Sequence, residues 1–370
     1  MHNNEQPPPI PLNSLAGKCS RNATCDLSLV RAGGSVSTEK SSGAETDGES
    51  DLVLTPAQRQ TSVGAEKMLH SANSGMIVER TVQVRGEFHS ESRRFARELA
   101  EYINTRYQEV AGVFVYEETF GTKDLIHWLI HLKSMDHYET MVRMGSRDED
   151  YRALFGREWV PEEKGGGGWA RMVLDGTLRE TVLLPQFWGM YGTHVDGETE
   201  RQSEVYRRQG AEVTLPPARH QTTQPDELLL HSGNAGILIH RTAEILYDFR
   251  SEARQFAREA AEAINDNLAG EATVLLYEEA FGPMDRIHWL IHMKSLSTYQ
   301  RLLQLHVQNE SVRDIFFRER APEKGGVTWA RMFTQGSYLD TALTPHHWGL
   351  YATGDQADET VVTGGEGEAS

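Results

Sequence analysis

Apolar and polar residues alternate over positions 76–84, in a run carrying Ile, Val and Thr, and this period of two predicts a strand. The period then lengthens. Phe95, Leu99, Ile103 and Tyr107 recur at helical spacing behind Ser90, which is placed as an N-cap. Residues 113–116 read as a second strand, Phe120-Gly121 as a turn, and Leu125-Ile126-His127-Trp128-Leu129-Ile130-His131 as the strand that returns. Ser134 opens a second helix through Tyr138, Met141 and Val142, with a break expected at Gly145 and resumption through Tyr151 and Leu154. A loop with glycines at 165–168 and a strand at 181–184 complete the order β-α-β-β-α-β, the ferredoxin-like unit.

The chain then repeats this order. Ile287-His288-Trp289-Leu290-Ile291-His292 answers the histidine strand 161 positions later, each copy preceded by Tyr-Glu-Glu and Phe-Gly. Leu69-His70-Ser71-Ala72-Asn73-Ser74-Gly75 matches Leu230-His231-Ser232-Gly233-Asn234-Ala235-Gly236, and Trp188-Gly189-Met190-Tyr191 matches Trp348-Gly349-Leu350-Tyr351. The implied organisation is a disordered leader at 1–53, repeat 1 at 54–192, a charged linker at 193–214, repeat 2 at 215–353 and an acidic disordered tail at 354–370. A four-stranded sheet with helices on one face leaves the other bare. Two copies can cover those faces by closing into one barrel, so the expected class is α+β, two tandem ferredoxin-like repeats forming an intramolecular barrel.

Composition narrows the partners. A formal charge of -17 disfavours nucleic acid and anionic membranes, and no apolar window is long enough to span a bilayer. The opening residues do not read as a signal peptide, and the two cysteines, Cys19 and Cys25, both lie in the leader, so a cytoplasmic protein is expected. Without cysteine in the repeats, thiol nucleophiles, zinc thiolates and iron–sulfur ligation are excluded there. Arginine in excess of lysine hints at a bacterial source.

The chemistry resides in the inward positions. On a helix, His127 and His131 would chelate one metal; on a strand they share a face but stand roughly 13 Å apart at about 3.3 Å per residue. With Trp128, Ile130 and Leu132 facing the helices, His127, Leu129 and His131 point into the barrel, and His288, Leu290 and His292 do the same. The catalytic candidates are therefore His127, His131, His288 and His292 with Glu118 and Glu279 as general acid–base partners, against the plain alternative that barrel histidines only bond their neighbours. Glu117 is expected to be solvated at its hairpin end. Substrate-binding candidates are Tyr116, Tyr277, Trp169, Trp329, Arg171 and Arg331, the arginines following Pro-Glu-Lys-Gly-Gly loops that lack any phosphate-loop spacing. Repeat 2 is richer in potential ligands: Glu79 becomes His240, Gln186-Phe187 becomes His346-His347, and Gly145 becomes His306.

The element order and the second-helix region, with Ser134, Tyr138 and Asp150-Tyr151-Arg152-Ala153-Leu154, resemble the dimeric α+β barrel superfamily. Its members include antibiotic-biosynthesis-monooxygenase, EthD-like and NIPSNAP-like proteins and the haem-carrying chlorite-dismutase-like branch. The resemblance implies a monooxygenase- or cyclase-type enzyme acting on a small hydrophobic molecule with no obligatory cofactor. The alternatives are a haem or divalent-metal oxidoreductase using His306, the position that resembles the iron ligand of haem-binding relatives, or the His127/His288 set, and a non-catalytic binding or assembly module. A homodimer is compatible with each.

Overall fold

A computed structural model describes residues 54–187 and 215–346. The leader, the linker, the acidic tail and residues 188–192 and 347–353 of the two repeats lie outside the described residues. Repeat 1 supplies β1 (Met76–Gln83), α1 (His89–Arg106), β2 (Ala111–Phe120), β3 (Leu125–Leu132), α2 (Met135–Arg147), α3 (Glu149–Gly156) and β4 (Arg179–Pro185). Repeat 2 supplies β5 (Ile237–Glu244), α4 (Arg250–Asn267), β6 (Ala272–Ala280), β7 (Arg286–Met293), α5 (Leu296–Gln308), α6 (Glu310–Phe317) and β8 (Leu339–Pro345).

The eight strands close into an antiparallel barrel in the order β1-β3-β2-β8-β5-β7-β6-β4. Each repeat contributes a ferredoxin-like sheet, and the seams are made by exchange: β8 pairs with β2, and β4 pairs with β6. Where the β2–β8 ladder gives out, the side-chain amide of Gln60 takes it over, accepting from Val115 N at 2.8 Å and donating to Val115 O at 2.7 Å and His346 O at 3.0 Å. Gln221 does the same for Leu276 and Gln186 at the other seam. No edge is left unpaired, which removes the aggregation hazard of an open sheet.

The period-two pattern sorts side chains into two environments. Val113, Val115, Trp128, Ile130 and Leu132 pack outward against Phe95, Leu99 and Ile103 of α1, and repeat 2 mirrors that layer. Ile77, Phe114, Tyr116, Leu129 and Leu183 meet Leu238, Leu275, Tyr277, Leu290 and Leu343 inside the barrel. The predicted elements are present, with two local differences. The first helix starts at His89 after Phe88, so Ser90 lies within its first turn. The second helix runs through Gly145 and stops at Asp148, whose side chain accepts from Tyr151 N and so caps α3.

Glu117 also departs from expectation. It is buried on the helix side of β2, where Arg93 of α1 grips it in a two-pronged ion pair at 2.6 and 2.8 Å. Its parity with Val113 and Val115 puts it under α1, and Arg254 and Glu278 repeat the pair in the second half.

The loops before β1 and β5 plug the base of the barrel. Gly112 permits this contact, since a Cβ there would lie 2.4 Å from the Leu69 carbonyl oxygen in the plug. Gly112→Ala is expected to destabilise the fold by about 1–3 kcal/mol through overpacking against backbone, read as a lowered midpoint in chemical denaturation.

Candidate functional site in the barrel

Neighbouring strands all run antiparallel, so β2 and β6 point the same way and both hairpins, β2–β3 and β6–β7, leave the barrel at one end. The inward polar residues consequently form two separate layers.

The base layer is closed. His131 Nδ1 faces Gly112 O at 3.0 Å and its Nε2 meets Ser232 Oγ at 2.9 Å; His292 does the same with Thr273 O and Ser71 Oγ. Each serine oxygen also accepts the backbone N–H of the other, Ser71 N to Ser232 Oγ and back, both at 3.0 Å. A carbonyl can only accept, so Nδ1 carries the proton and Nε2 takes the serine hydroxyl hydrogen. Burial drives both imidazoles down to about 3, so they are neutral. Tyr116 and Tyr277 donate to Ser232 O and Ser71 O, and burial raises both phenols. His70 and His231 stack beneath at 3.6 Å. His131, His292, Tyr116 and Tyr277, candidates from the sequence, thus hold the plug in place with their polar atoms engaged.

The upper layer, beside the hairpins, differs. His127 Nδ1 lies 2.9 Å from Glu79 Oε1, and its Nε2 3.4 Å from Glu118 Oε1. Glu79 reaches across the barrel to His240, Oε2 to Nδ1 at 3.4 Å. His240 Nε2 meets His288 Nδ1 at 2.8 Å, and His288 Nε2 stands 3.5 Å from Glu279 Oε2. The result is a file of buried groups, Glu118, His127, Glu79, His240, His288, Glu279, crossing the barrel between carboxylates at the two hairpins. It is hydrogen-bonded at His127–Glu79 and His240–His288 and in ion-pair contact at the other three steps. Side chains in the file are at most 9% exposed. Glycine makes the ends possible: a Cβ on Gly121 or Gly282 would run into the carboxylate of Glu118 or Glu279, which is the physical content of the repeated Phe-Gly.

The file is electrically lopsided. Burial opposes charge on His127, but Glu118 and Glu79 outweigh it and raise the imidazole to about 9, so it is an imidazolium at neutral pH. Burial would raise Glu79, yet His240 and His127 hold it well below the carboxylate range. For His288 burial prevails over Glu279, with His240 adding repulsion, and the imidazole is lowered and neutral. One half thus holds an acid and the other a base.

Glu79 and His240 were not among the sequence-derived site residues. The signal was present: both share the inward parity of Ile77 and Leu238 and close the buried first half of each strand, and the Glu-to-His difference between repeats falls there.

The remaining candidates lie outside the barrel. Trp169 and Trp329 pack into the helix-side clusters, stacked on Phe95 and Phe256. Arg171 closes its own loop by donating to Gly165 O, Gly166 O and Lys164 O, and Arg331 is exposed. None of the four reaches the file. His306 sits on α5 with Nδ1 on Leu302 O at 3.0 Å and its ring edge-on to Phe316, 4.4 Å between centroids. Phe256, Phe316, Trp329, Phe333 and Tyr338 fill that face at stacking distance, so these residues do not fit a haem. Among the described residues, no group of three or more His, Cys, Asp or Glu is arranged to hold a metal ion, and no helix is long and apolar enough to cross a membrane.

The model of a family of unknown function, DUF6039, matches residues 46–351. The chain belongs to that family. No curated protein sequence matches it. Among solved structures it is similar to a candidate monooxygenase from Fusobacterium nucleatum subsp. nucleatum, at 8% identity and TM-score 0.42, covering 73% of this chain and 91% of the other. An anthrone oxidase-like protein shows 8% identity and TM-score 0.40 over 75% and 94% of the two chains. A mutant chlorite dismutase from Candidatus Nitrospira defluvii shows 13% identity and TM-score 0.34 over 74% and 92%. Likenesses this remote do not bear on the reaction, which has to be read from the DUF6039 chain's own side chains.

The base layer predicts acid sensitivity. The folded-state values of His131 and His292 lie below the unfolded value of about 6.5, so the unfolded chain binds more protons and stability present above that pH is lost as pH falls toward about 3. Each histidine contributes a slope of up to about 1.4 kcal/mol per pH unit over that range. Denaturation midpoints measured from pH 7 to pH 4 should fall accordingly, and His292→Gln should flatten the dependence while lowering stability throughout.

Proposed function

We propose that this barrel is an acid–base enzyme acting on a small, largely apolar molecule that enters between the hairpin tips. The observation that supports this is the buried file joining a charged His127 to a neutral His288 through Glu79 and His240. A structural histidine is satisfied locally, as His131 is; a file with a proton at one end and a vacancy at the other is suited to moving one. Pairs of titratable groups pushed apart by their surroundings mark general acids and bases.

The surroundings also favour an apolar substrate. Phe120, Phe281 and Met284 stand exposed at the hairpin tips, and the barrel interior beneath the file is mainly leucine and isoleucine, with Phe114, Tyr116 and Tyr277. Cofactor-independent oxygenation and cyclisation both begin by removing a proton from an activated carbon or a phenol, a step that the His288–Glu279 couple is equipped for. His127, flanked by two carboxylates, is equipped to return a proton to the oxygen that gathers charge. The file thus supports a monooxygenase- or cyclase-type reaction over a purely binding role.

The reading is tested with a panel of apolar 1,3-diketones and polycyclic phenolic ketones in deuterated buffer, following deuterium wash-in at the activated carbon by proton NMR. Wash-in should be accelerated by the wild type and reduced about 10²- to 10⁴-fold in His127→Gln and His288→Gln, the usual worth of a positioned acid or base. Wild-type wash-in from both folded variants would remove the acid–base role.

A further inference from the structure

Among the differences between the repeats around the file, three have related consequences. Position 79 is glutamate where 240 is histidine; position 122 is threonine where 283 is proline; position 125 is leucine where 286 is arginine. The first difference builds the bridge across the barrel. The other two act on the carboxylates at its ends.

In repeat 1, Glu118 is held from the hairpin by a backbone amide: Thr122 N donates to Glu118 Oε2 at 2.5 Å, leaving Oε1 toward His127. Proline has no amide hydrogen, so Pro283 cannot hold Glu279 in that way. Arg286 supplies the missing anchor. Its Nη1 lies 3.2 Å from Glu279 Oε2, the same oxygen that stands 3.5 Å from His288 Nε2, while its Nη2 is fixed by Glu244 at 2.7 Å. At this point the second half has lost an amide hydrogen and gained a guanidinium. A carboxylate already paired with guanidinium has less to offer an imidazolium behind it.

The structure assigns Arg286 as the positioning residue that gives the file its direction, making Glu279–His288 the proton-accepting end and leaving Glu118–His127 the donating end. The other charged groups near each end fit this assignment. His288 faces Glu279 from β6, His240 from β5 and, beyond it, Glu79 from β1. Asp285, next to Arg286, is turned to Arg250 and Arg254. In repeat 1, His127 faces Glu118 and Glu79, Asp124 is turned to His89, and Lys123 donates to Thr119 O. Burial lowers His288 and His240 adds to it, while Glu118 and Glu79 raise His127 against burial. The inference rests on the acid–base reading for its catalytic meaning, but its electrostatic content is measured without substrate.

The test is histidine-selective carbon-13 NMR titration of the full chain, comparing wild type, Arg286→Leu and Leu125→Arg. Removing the guanidinium should raise the His288 midpoint by at least one pH unit, roughly a tenfold gain in proton affinity. Placing one beside Glu118 should lower the His127 midpoint by a similar amount. Should Arg286→Leu not fold, Arg286→Gln keeps a donor to Glu244 without the charge and is held to the same criterion. An unmoved His288 midpoint in a folded Arg286 variant overturns the assignment, whatever deuterium wash-in shows. A moved midpoint supports it even where the histidine variants keep full wash-in, a result that would count against the acid–base reading alone.

Discussion

Everything in this molecule depends on the exchange of two edge strands. A ferredoxin-like sheet with helices on one side has an uncovered face and two open edges, and neither is tolerable in water. Pairing β8 with β2 and β4 with β6 deals with both at once, because the bare faces become the inside of a barrel. Each seam is short, and the amides of Gln60 and Gln221 complete it where backbone pairing ends. The exchange also fixes direction: with eight antiparallel strands, equivalent hairpins from the two repeats must emerge together. Glu118 and Glu279, far apart in the chain, thereby come to flank one interior.

That geometry puts two pairs of histidines in one barrel under different rules. His131 and His292 lie where the plug loops deliver matched donors and acceptors: each Nδ1 meets a carbonyl of its own repeat and each Nε2 a serine of the other. Such a network favours one arrangement and penalises any half-satisfied one. His127 and His288 lie four residues nearer the hairpins, beside carboxylates. Opposite charge in a buried setting shifts proton affinities far more strongly than in water. Identical sequence context yields a neutral strut at one level and an ionisable pair at the other.

The repeat, the element order and the inward face of the histidine strand were legible because they rest on periodicity alone. Trp128, Ile130 and Leu132 facing the helices left only one side for His127 and His131. Periodicity gives the face of a strand but not the depth along it, so four equivalent imidazoles were expected where two layers exist. Glu117 read as a solvated hairpin residue because nothing local announces Arg93, which arrives from a helix 24 positions away. Arg171 and the tryptophans looked like binding residues because conspicuous residue types next to a glycine loop do not reveal which side of the sheet the loop covers. Glu79 and His240 were visible as a difference between repeats, yet their meeting across the barrel follows only from closure.

The departures from internal symmetry carry more weight than the symmetry does. Duplication alone would leave two equal halves, each with a Glu–His couple and each with the same proton affinity. The repeats differ at many positions, but Glu79 against His240, Thr122 against Pro283 and Leu125 against Arg286 all touch one file of buried groups, and the last two compensate each other chemically, an amide donor lost and a guanidinium gained. A merely structural barrel would be served as well by two identical couples. A proton moves usefully only between unlike ends, and unlike ends are what these three differences produce.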